Sequence, residues 1–272
     1  MTERTIKIEG VGEIAIRPLA SLSDYQQAVE IQYSTWGEDF TECVPSSMLR
    51  ISQKVGGVAA GAFSDDDKMV GFIYGISGLR KGIPAHWSHM LAVTPEARGG
   101  RLGTLLKAYQ RDVLLDDGIE FMYWTYDPLI AANANLNINR LSAFPVEYAV
   151  NMYGDNTGSD LHSGLGTDRF VVEWKLADPN VAAAVTRTSA LKTTRDEGAP
   201  TAGPDNVADP PDSERVYVEI PADIIAMKES NFDQAKKWRE CTRSHLSHYL
   251  AEGYTVAGFC KGDPAYYYLI RT

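Results

Sequence analysis

The chain has 272 residues, 44% of them hydrophobic and 23% charged, with a net charge of −10 and a pI of about 5.0. This is the balance of a globular domain that needs no membrane, and it excludes a nucleic-acid partner, which would require a basic face. No apolar run has bilayer length, no N-terminal stretch reads as a signal peptide, and Cys43, Cys241 and Cys260 are widely separated with no metal spacing, so a reducing cytoplasmic setting without a metal is expected.

Glu13–Leu19 alternates apolar and polar residues and reads as a strand. Ser23 is the expected N-cap of a helix from Asp24 to Trp36, with Ala28, Ile31, Gln32 and Thr35 on one face. Residues 45–54 read as a second helix opened by Pro45. Val58–Ser64 and Met69–Ser77 flank Asp65-Asp66-Asp67 and form a hairpin. His86 is read as a loop residue at the start of a strand that runs to Val93. Gly103–Leu115 is a helix with Leu102, Leu105, Leu106, Tyr109 and Val113 inward, ended by Gly118. Ile119–Tyr126 is an aromatic strand. Asp127-Pro128 then opens a helix over 128–141 that holds four asparagines, an unusual load for a helix. Val146–Tyr153 and Arg169–Leu176 read as strands.

Residues 178–212 hold five prolines and no aromatic residue, and read as an excursion or linker. A compact β-α-β-β unit follows over 213–272. It comprises a strand at Arg215–Ile220, a helical region from Ala222 to Glu252 broken near Ser230-Asn231, and strands at Thr255–Cys260 and Tyr266–Ile270. Phe232, Ala235, Trp238, Thr242, Leu246 and Tyr249 make its apolar stripe. About sixty residues form a marginal core alone, so this unit is expected to pack on the first domain, residues 1–177.

The densest chemical information lies between Ser88 and Leu106. A short strand runs into Arg98-Gly99-Gly100-Arg101-Leu102-Gly103-Thr104, then into an amphipathic helix. Glycines permit close backbone approach and positive φ. The free N–H groups of a helix start favour an anion, and two arginines add fixed charge. This is a pyrophosphate cradle. Neither the phosphate loop Gly-x-x-x-x-Gly-Lys-Ser/Thr nor a dinucleotide Gly-x-Gly-x-x-Gly after a strand is present.

The cradle resembles the Arg-x-x-Gly-x-Gly motif of the GNAT acyltransferases, with Arg101 where that family usually has glycine. Tyr123-Trp124-Thr125-Tyr126-Asp127-Pro128-Leu129, Asn133-Ala134, Leu161-His162-Ser163-Gly164-Leu165, Thr167-Asp168-Arg169-Phe170, Ile220-Pro221-Ala222-Asp223 and Trp238-Arg239 resemble one GNAT subgroup. Some members of that subgroup resemble amino-acid N-succinyltransferases associated with N-acylamino-acid racemases. The resemblance covers roughly 14–272 outside the Pro-rich stretch. It implies an α/β (α+β) fold, a mixed twisted sheet flanked by helices with a C-terminal β-α-β-β extension. It further implies a transferase that moves an acetyl or succinyl group from acetyl-CoA or succinyl-CoA to a small-molecule amine, with a homodimer as an open option. A non-catalytic acyl-CoA sensor is the alternative.

In this reading Leu91, Ala92 and Val93 offer backbone groups to pantetheine as an added strand would. Arg98, Gly99, Gly100, Arg101, Leu102, Gly103 and Thr104 take the pyrophosphate. Asn133 lines the cofactor by resemblance, or makes a local hydrogen bond. His89 has the strand parity of Leu91 and Val93 and a pKa suited to proton removal, or is structural. The tyrosine that commonly protonates the leaving thiolate is replaced by Ile138, so Tyr126 or Tyr123 is the substitute acid, or a packing residue. Arg169, Arg239 and Arg243 are the cations for an acceptor carboxylate. Arg239 and Arg243, spaced i,i+4, either clamp it or pair with nearby acids.

Overall fold

The computed structural model describes residues 4–8, 12–98, 101–154, 158 and 164–272. Gly99, Gly100 and His162 lie outside the described residues. In chain order the elements begin β1 (Arg4–Ile8), β2 (Gly12–Pro18), α1 (Leu22–Trp36), α2 (Ser46–Lys54), β3 (Val58–Ser64), β4 (Met69–Arg80), β5 (Ile83–Val93), α3 (Leu102–Asp116) and β6 (Phe121–Tyr126). They continue with α4 (Ala131–Ala134), a π-helical turn (Asn135–Arg140), β7 (Phe144–Ala149), β8 (Arg169–Lys175), α5 (Pro179–Thr186) and β9 (Thr201–Ala202). The chain ends with β10 (Arg215–Ile220), α6 (Ile224–Ser230), α7 (Phe232–Ala251), β11 (Tyr254–Cys260) and β12 (Ala265–Arg271). Two compact units result: Met1–Trp124 with Thr157–Asp160 and Trp174–Val185, and Thr125–Asn156 with Leu161–Glu173 and Thr186–Thr272. No helix among the described residues is long and apolar enough to cross a membrane.

The first unit carries strands in the order β1-β2-β3-β4-β5-β6, antiparallel as far as β5 and parallel between β5 and β6. This is the expected mixed α/β sheet with helices on its faces. Adjacent residues of a strand point to opposite faces. Phe72 packs with Tyr25, Ala28, Ile31 and Leu49 beneath α1 and α2, whereas a side chain at Gly71 would meet Leu102 and Leu106 of α3. The two helical layers therefore cover opposite faces.

Three local features differ from the expectations. β1 is an additional edge strand. The cap of α1 is Ser21, not Ser23: its hydroxyl accepts from Asp24 N–H at 3.1 Å and Asp24 reaches back to the Ser21 N–H, because only Ser21 has an acid three residues on. His86 is not a loop residue; it lies within β5, and its ring fills the space over Gly75.

In the second unit β7 pairs antiparallel with β8, and a separate sheet has the order β11-β12-β10-β9. β7 stops at Ala149 rather than Tyr153. Asn151 turns to a φ of 46° and gives its N–H to the Asp168 carboxylate at 3.0 Å. The expected helix over 128–141 shortens to α4 and the π-helical turn. Its asparagines use their side chains within the segment and beyond it: Asn137 Nδ2 donates to Asn133 O at 2.8 Å, and Asn139 Nδ2 to Asn135 Oδ1 at 3.1 Å and to Phe259 O at 3.0 Å. Such side-chain bonds compete with the regular ladder, and π-turns often mark functional segments.

The C-terminal helical region breaks at Asn231, as its sequence indicates, and Asn231 Oδ1 caps α7 by accepting from Gln234 N–H at 3.1 Å. Phe232 stands apart from the expected stripe and is exposed, while Arg239 and His245 are buried on α7. Residues 178–212 contribute α5 and β9, the latter pairing parallel with β10 through Thr201–Tyr217 and Ala202–Val218.

Candidate functional site

β5 is paired along one side with β4, from Gly71–Val93 to Arg80–Ile83. On its other side the described ladder to β6 consists of His86–Met122 and Trp87–Tyr123. The described ladder ends there, and Leu91, Ala92 and Val93 on that edge of β5 lie beyond it. An extended chain can be added to such an edge by backbone hydrogen bonds.

At the end of β5 the chain passes Arg98, exposed, whose Nε donates to the Val93 carbonyl at 3.1 Å. Arg101 stands at the N-cap of α3 with φ 67° and ψ 3°. A left-handed backbone is natural for glycine and strained for arginine, which explains the glycine the motif usually has there. No side chain caps α3, and its first backbone bond is Leu105 N–H to Arg101 O at 3.0 Å. The N–H groups of Leu102, Gly103 and Thr104 thus form the positive end of a 15-residue helix. Thr104 Oγ1 and Arg101 Nε are buried and have no hydrogen-bond partner. Leu102 is buried and anchors the turn to the sheet. Unsatisfied buried polar atoms are uncommon, and two of the eight found among the described residues lie within this one turn. These groups fit a diphosphate ester.

His89 is the extra residue of a β-bulge, since Tyr74 pairs with Met90 and Gly75 with Ser88. The bulge cancels the simple alternation from Leu91. The imidazole stands edge-on to Tyr74 at 6.1 Å, and Tyr74 belongs to the cluster that holds Met90 and Ala92. Bulges re-aim side chains beside functional sites. His89 as a residue is exposed, yet partial desolvation of its ring by the surrounding chain lowers its pKa from the ordinary histidine value, with Glu42 acting against that. The direction favours a neutral, proton-accepting ring.

The remaining predicted residues belong to the second unit. Tyr126 is buried beside Phe170, 5.7 Å between ring centroids, and burial raises its phenol above the ordinary range. Asn133 is half-buried; its N–H donates to Ile130 O at 2.9 Å and its carbonyl accepts from Asn137. Arg239 is buried, with Nη2 on Asp127 Oδ2 at 2.6 Å and Nε on Leu165 O at 2.9 Å, while Nη1 has no partner. Arg169 bonds Asp168 O at 2.8 Å and lies 3.8 Å from Asp127. Arg243 grips Asp168 through Nε and Nη2, both at 2.8 Å. Burial pushes the Asp168 carboxyl up, but Arg243, the Tyr148 hydroxyl at 2.6 Å and the Asn151 N–H together hold it below its ordinary value.

Arg239 and Arg243 therefore do not converge as a free clamp; each serves its own aspartate. Sequence reasoning missed those partners, Asp127 and Asp168. It also missed a buried polar chain in the first unit, Lys107, Ser88, Gln110 and His86. The signal for the chain was present: Lys107 and Gln110, three apart, flank the apolar stripe of α3 and turn inward with it.

No family model and no curated protein matches the chain. Among solved structures it is similar to a chain of the NatC complex bound to Gag peptide and CoA, at 14% identity and a TM-score of 0.48, covering 60% of this chain and 98% of that one. It is similar to an aminoglycoside 6'-N-acetyltransferase complexed with coenzyme A, at 17% identity and a TM-score of 0.45, covering 60% and 97%. It is also similar to the ribosomal-protein-S18-alanine N-acetyltransferase from Escherichia coli, at 18% identity and a TM-score of 0.45, covering 61% and 97%.

Proposed function

We propose that this chain is a GNAT-type acyl-coenzyme A-dependent N-acyltransferase that moves an acetyl or succinyl group to a small amine bearing a carboxylate, such as an amino acid. The observation that carries the reading is the conjunction at β5 and α3: a strand edge past its ladder leads into an uncapped helix start lined by Arg98, Arg101 and the orphaned Thr104 hydroxyl. When bound, the carrier supplies the acyl group as a thioester. Leu91, Ala92 and Val93 would hold its pantetheine arm as an added strand, and one of their N–H groups would polarise the thioester carbonyl. Leu102, Gly103 and Thr104 would meet the pyrophosphate with backbone N–H groups, together with Arg98 and Arg101 and the glycines Gly99 and Gly100. Neutral His89 would take the proton from the acceptor amine.

In the second unit Arg239 Nη1 is buried and has no hydrogen-bond partner among the described residues. That nitrogen, on an arginine already oriented by Asp127, is the group proposed to receive the acceptor carboxylate, with Arg169 and Arg243 beside it. Asn133 and Tyr126 keep their proposed roles, beside the cofactor and as proton donor to the thiolate.

Thiol release from acetyl-CoA and succinyl-CoA against a panel of amino acids and amines tests the reading. The expected result is release that depends on the amine. Its rate should fall at least tenfold near neutral pH in His89→Ala, within the range attributed to one general base, roughly 10²–10⁴-fold. Binding of coenzyme A with no release for any pair would instead favour the sensor.

A further inference from the structure

Lys107 reaches inward from α3 and is 3% exposed. Its Nζ donates to Ser88 Oγ at 2.8 Å, lies 3.9 Å from Met122 Sδ and sits 3.7 Å from the centre of the Trp124 ring. Ser88 is the first residue of β5 past the β5–β6 ladder, and Trp124 is the first residue of β6 past it. One amine thus touches both strands at the end of their described ladder.

The neighbouring groups are otherwise committed. Ser88 Oγ donates to Gln110 Oε1 at 2.7 Å. Gln110 Nε2 lies 2.9 Å from His86 Nε2, and His86 Nδ1 lies 2.9 Å from Ser77 Oγ, which donates to Gly56 O at 2.6 Å. A consistent assignment puts the imidazole proton on Nδ1, so every donor in the chain finds an acceptor. Lys107 has no carboxylate partner among the described residues. Burial alone pushes its amine well below the ordinary lysine range. The titratable group recorded against it is His86, which burial, with a smaller push from Lys107, lowers to about 3; Met122, Trp124, Ser88 and Gln110 carry no charge there. An unpaired buried lysine normally destabilises a fold, and a well-packed apolar replacement often does better. A residue kept under those terms points to function.

We propose that Lys107 is a positioning residue for the acyl carrier: by tying Ser88 of β5 to the Trp124 ring of β6 where the ladder ends, it fixes the β5 edge from which Leu91, Ala92 and Val93 would hold the pantetheine arm. The inference rests on the proposed use of that edge by coenzyme A. It assigns to the lysine no contact with the reacting atoms.

The test compares the full-length wild type with Lys107→Met and Lys107→Arg by calorimetric titration with coenzyme A, thermal unfolding against pH, and steady-state kinetics. The methionine variant should bind coenzyme A roughly five- to tenfold more weakly, the scale of one lost hydrogen bond, with KM for the donor raised and kcat little changed. Its unfolding midpoint at pH 7 should rise by about 2–4 °C. That gain should shrink as pH approaches about 10.5, where the unfolded lysine is also neutral and the burial penalty disappears. The arginine variant, which keeps a donor but cannot shed its charge, should recover part of the binding and melt lower. A methionine variant that melts lower or fails to fold, or one that binds coenzyme A as the wild type does, overturns the proposal. Wild-type protein that binds no coenzyme A overturns the proposed function itself, a separate outcome from a variant that merely matches a binding-competent wild type.

Discussion

In the second unit Asp168 receives four hydrogen bonds, from Tyr148, the Asn151 N–H and two nitrogens of Arg243. In the first unit, among the described residues, Thr104 Oγ1 and Arg101 Nε have no partner, Lys107 has no counter-charge, and the β5 edge runs past its ladder. Both regions bury polar groups. The aspartate–arginine cluster spends most of its hydrogen-bonding capacity internally and keeps Arg239 Nη1 for the proposed acceptor carboxylate. The β5–α3 region leaves capacity unspent, which is the condition for holding a ligand. A dense cluster of charge is thus a poorer guide to a binding site than a few polar atoms with nothing to do.

The sharpest way to break this contrast is Asp168→Ala. It removes the acceptor of the Tyr148 hydroxyl and of a partly exposed Arg243, and should lower unfolding free energy by about 3 kcal/mol, read by denaturant titration. The same carboxylate predicts a pH dependence. Its folded pKa is depressed, so its contribution is complete above the unfolded value of about 3.9 and is lost as pH falls through the lower folded value. The wild type should lose stability in that acid window more steeply than the variant. A negligible stability change would mean that Arg243 and Tyr148 are held in place without the carboxylate.

Arg98→Ala should do the reverse. The side chain is exposed and bonds only a carbonyl, so stability should move by less than about 0.5 kcal/mol, while coenzyme A binding weakens by about 1–3 kcal/mol. Unchanged affinity would remove Arg98 from the cradle. Smaller still is Arg101→Gly. Relief of a left-handed backbone is worth about 1–2 kcal/mol, and the added freedom of the unfolded glycine returns roughly half of it. A net gain of up to about 1 kcal/mol in stability is expected, with a loss of affinity below that of Arg98→Ala. A drop in stability would mean that the guanidinium is held by packing rather than kept for a ligand.

Much of this was legible in the chain. The β3–β4 hairpin, β5, α3 and the break between α6 and α7 follow from alternation, helical periodicity and caps, because in these segments local preference and packing agree. The glycines and arginines of the cradle stood out by residue type and spacing alone. β1 escaped notice because a five-residue edge strand needs only one partner and no strong apolar pattern. The bulge at His89 and the π-helical turn were hidden because both violate the periods by which strands and helices are read. Arg239 and Arg243 look like a clamp on their own helix. Their partners lie 112 and 75 residues away, a distance no local pattern spans.

The central claim concerns the amides at the end of β5 and the start of α3. Hydrogen–deuterium exchange with and without saturating coenzyme A measures them directly. The account predicts slower exchange concentrated at Leu91–Val93 and Leu102–Thr104. Binding without protection there, or protection confined to other segments, would contradict it.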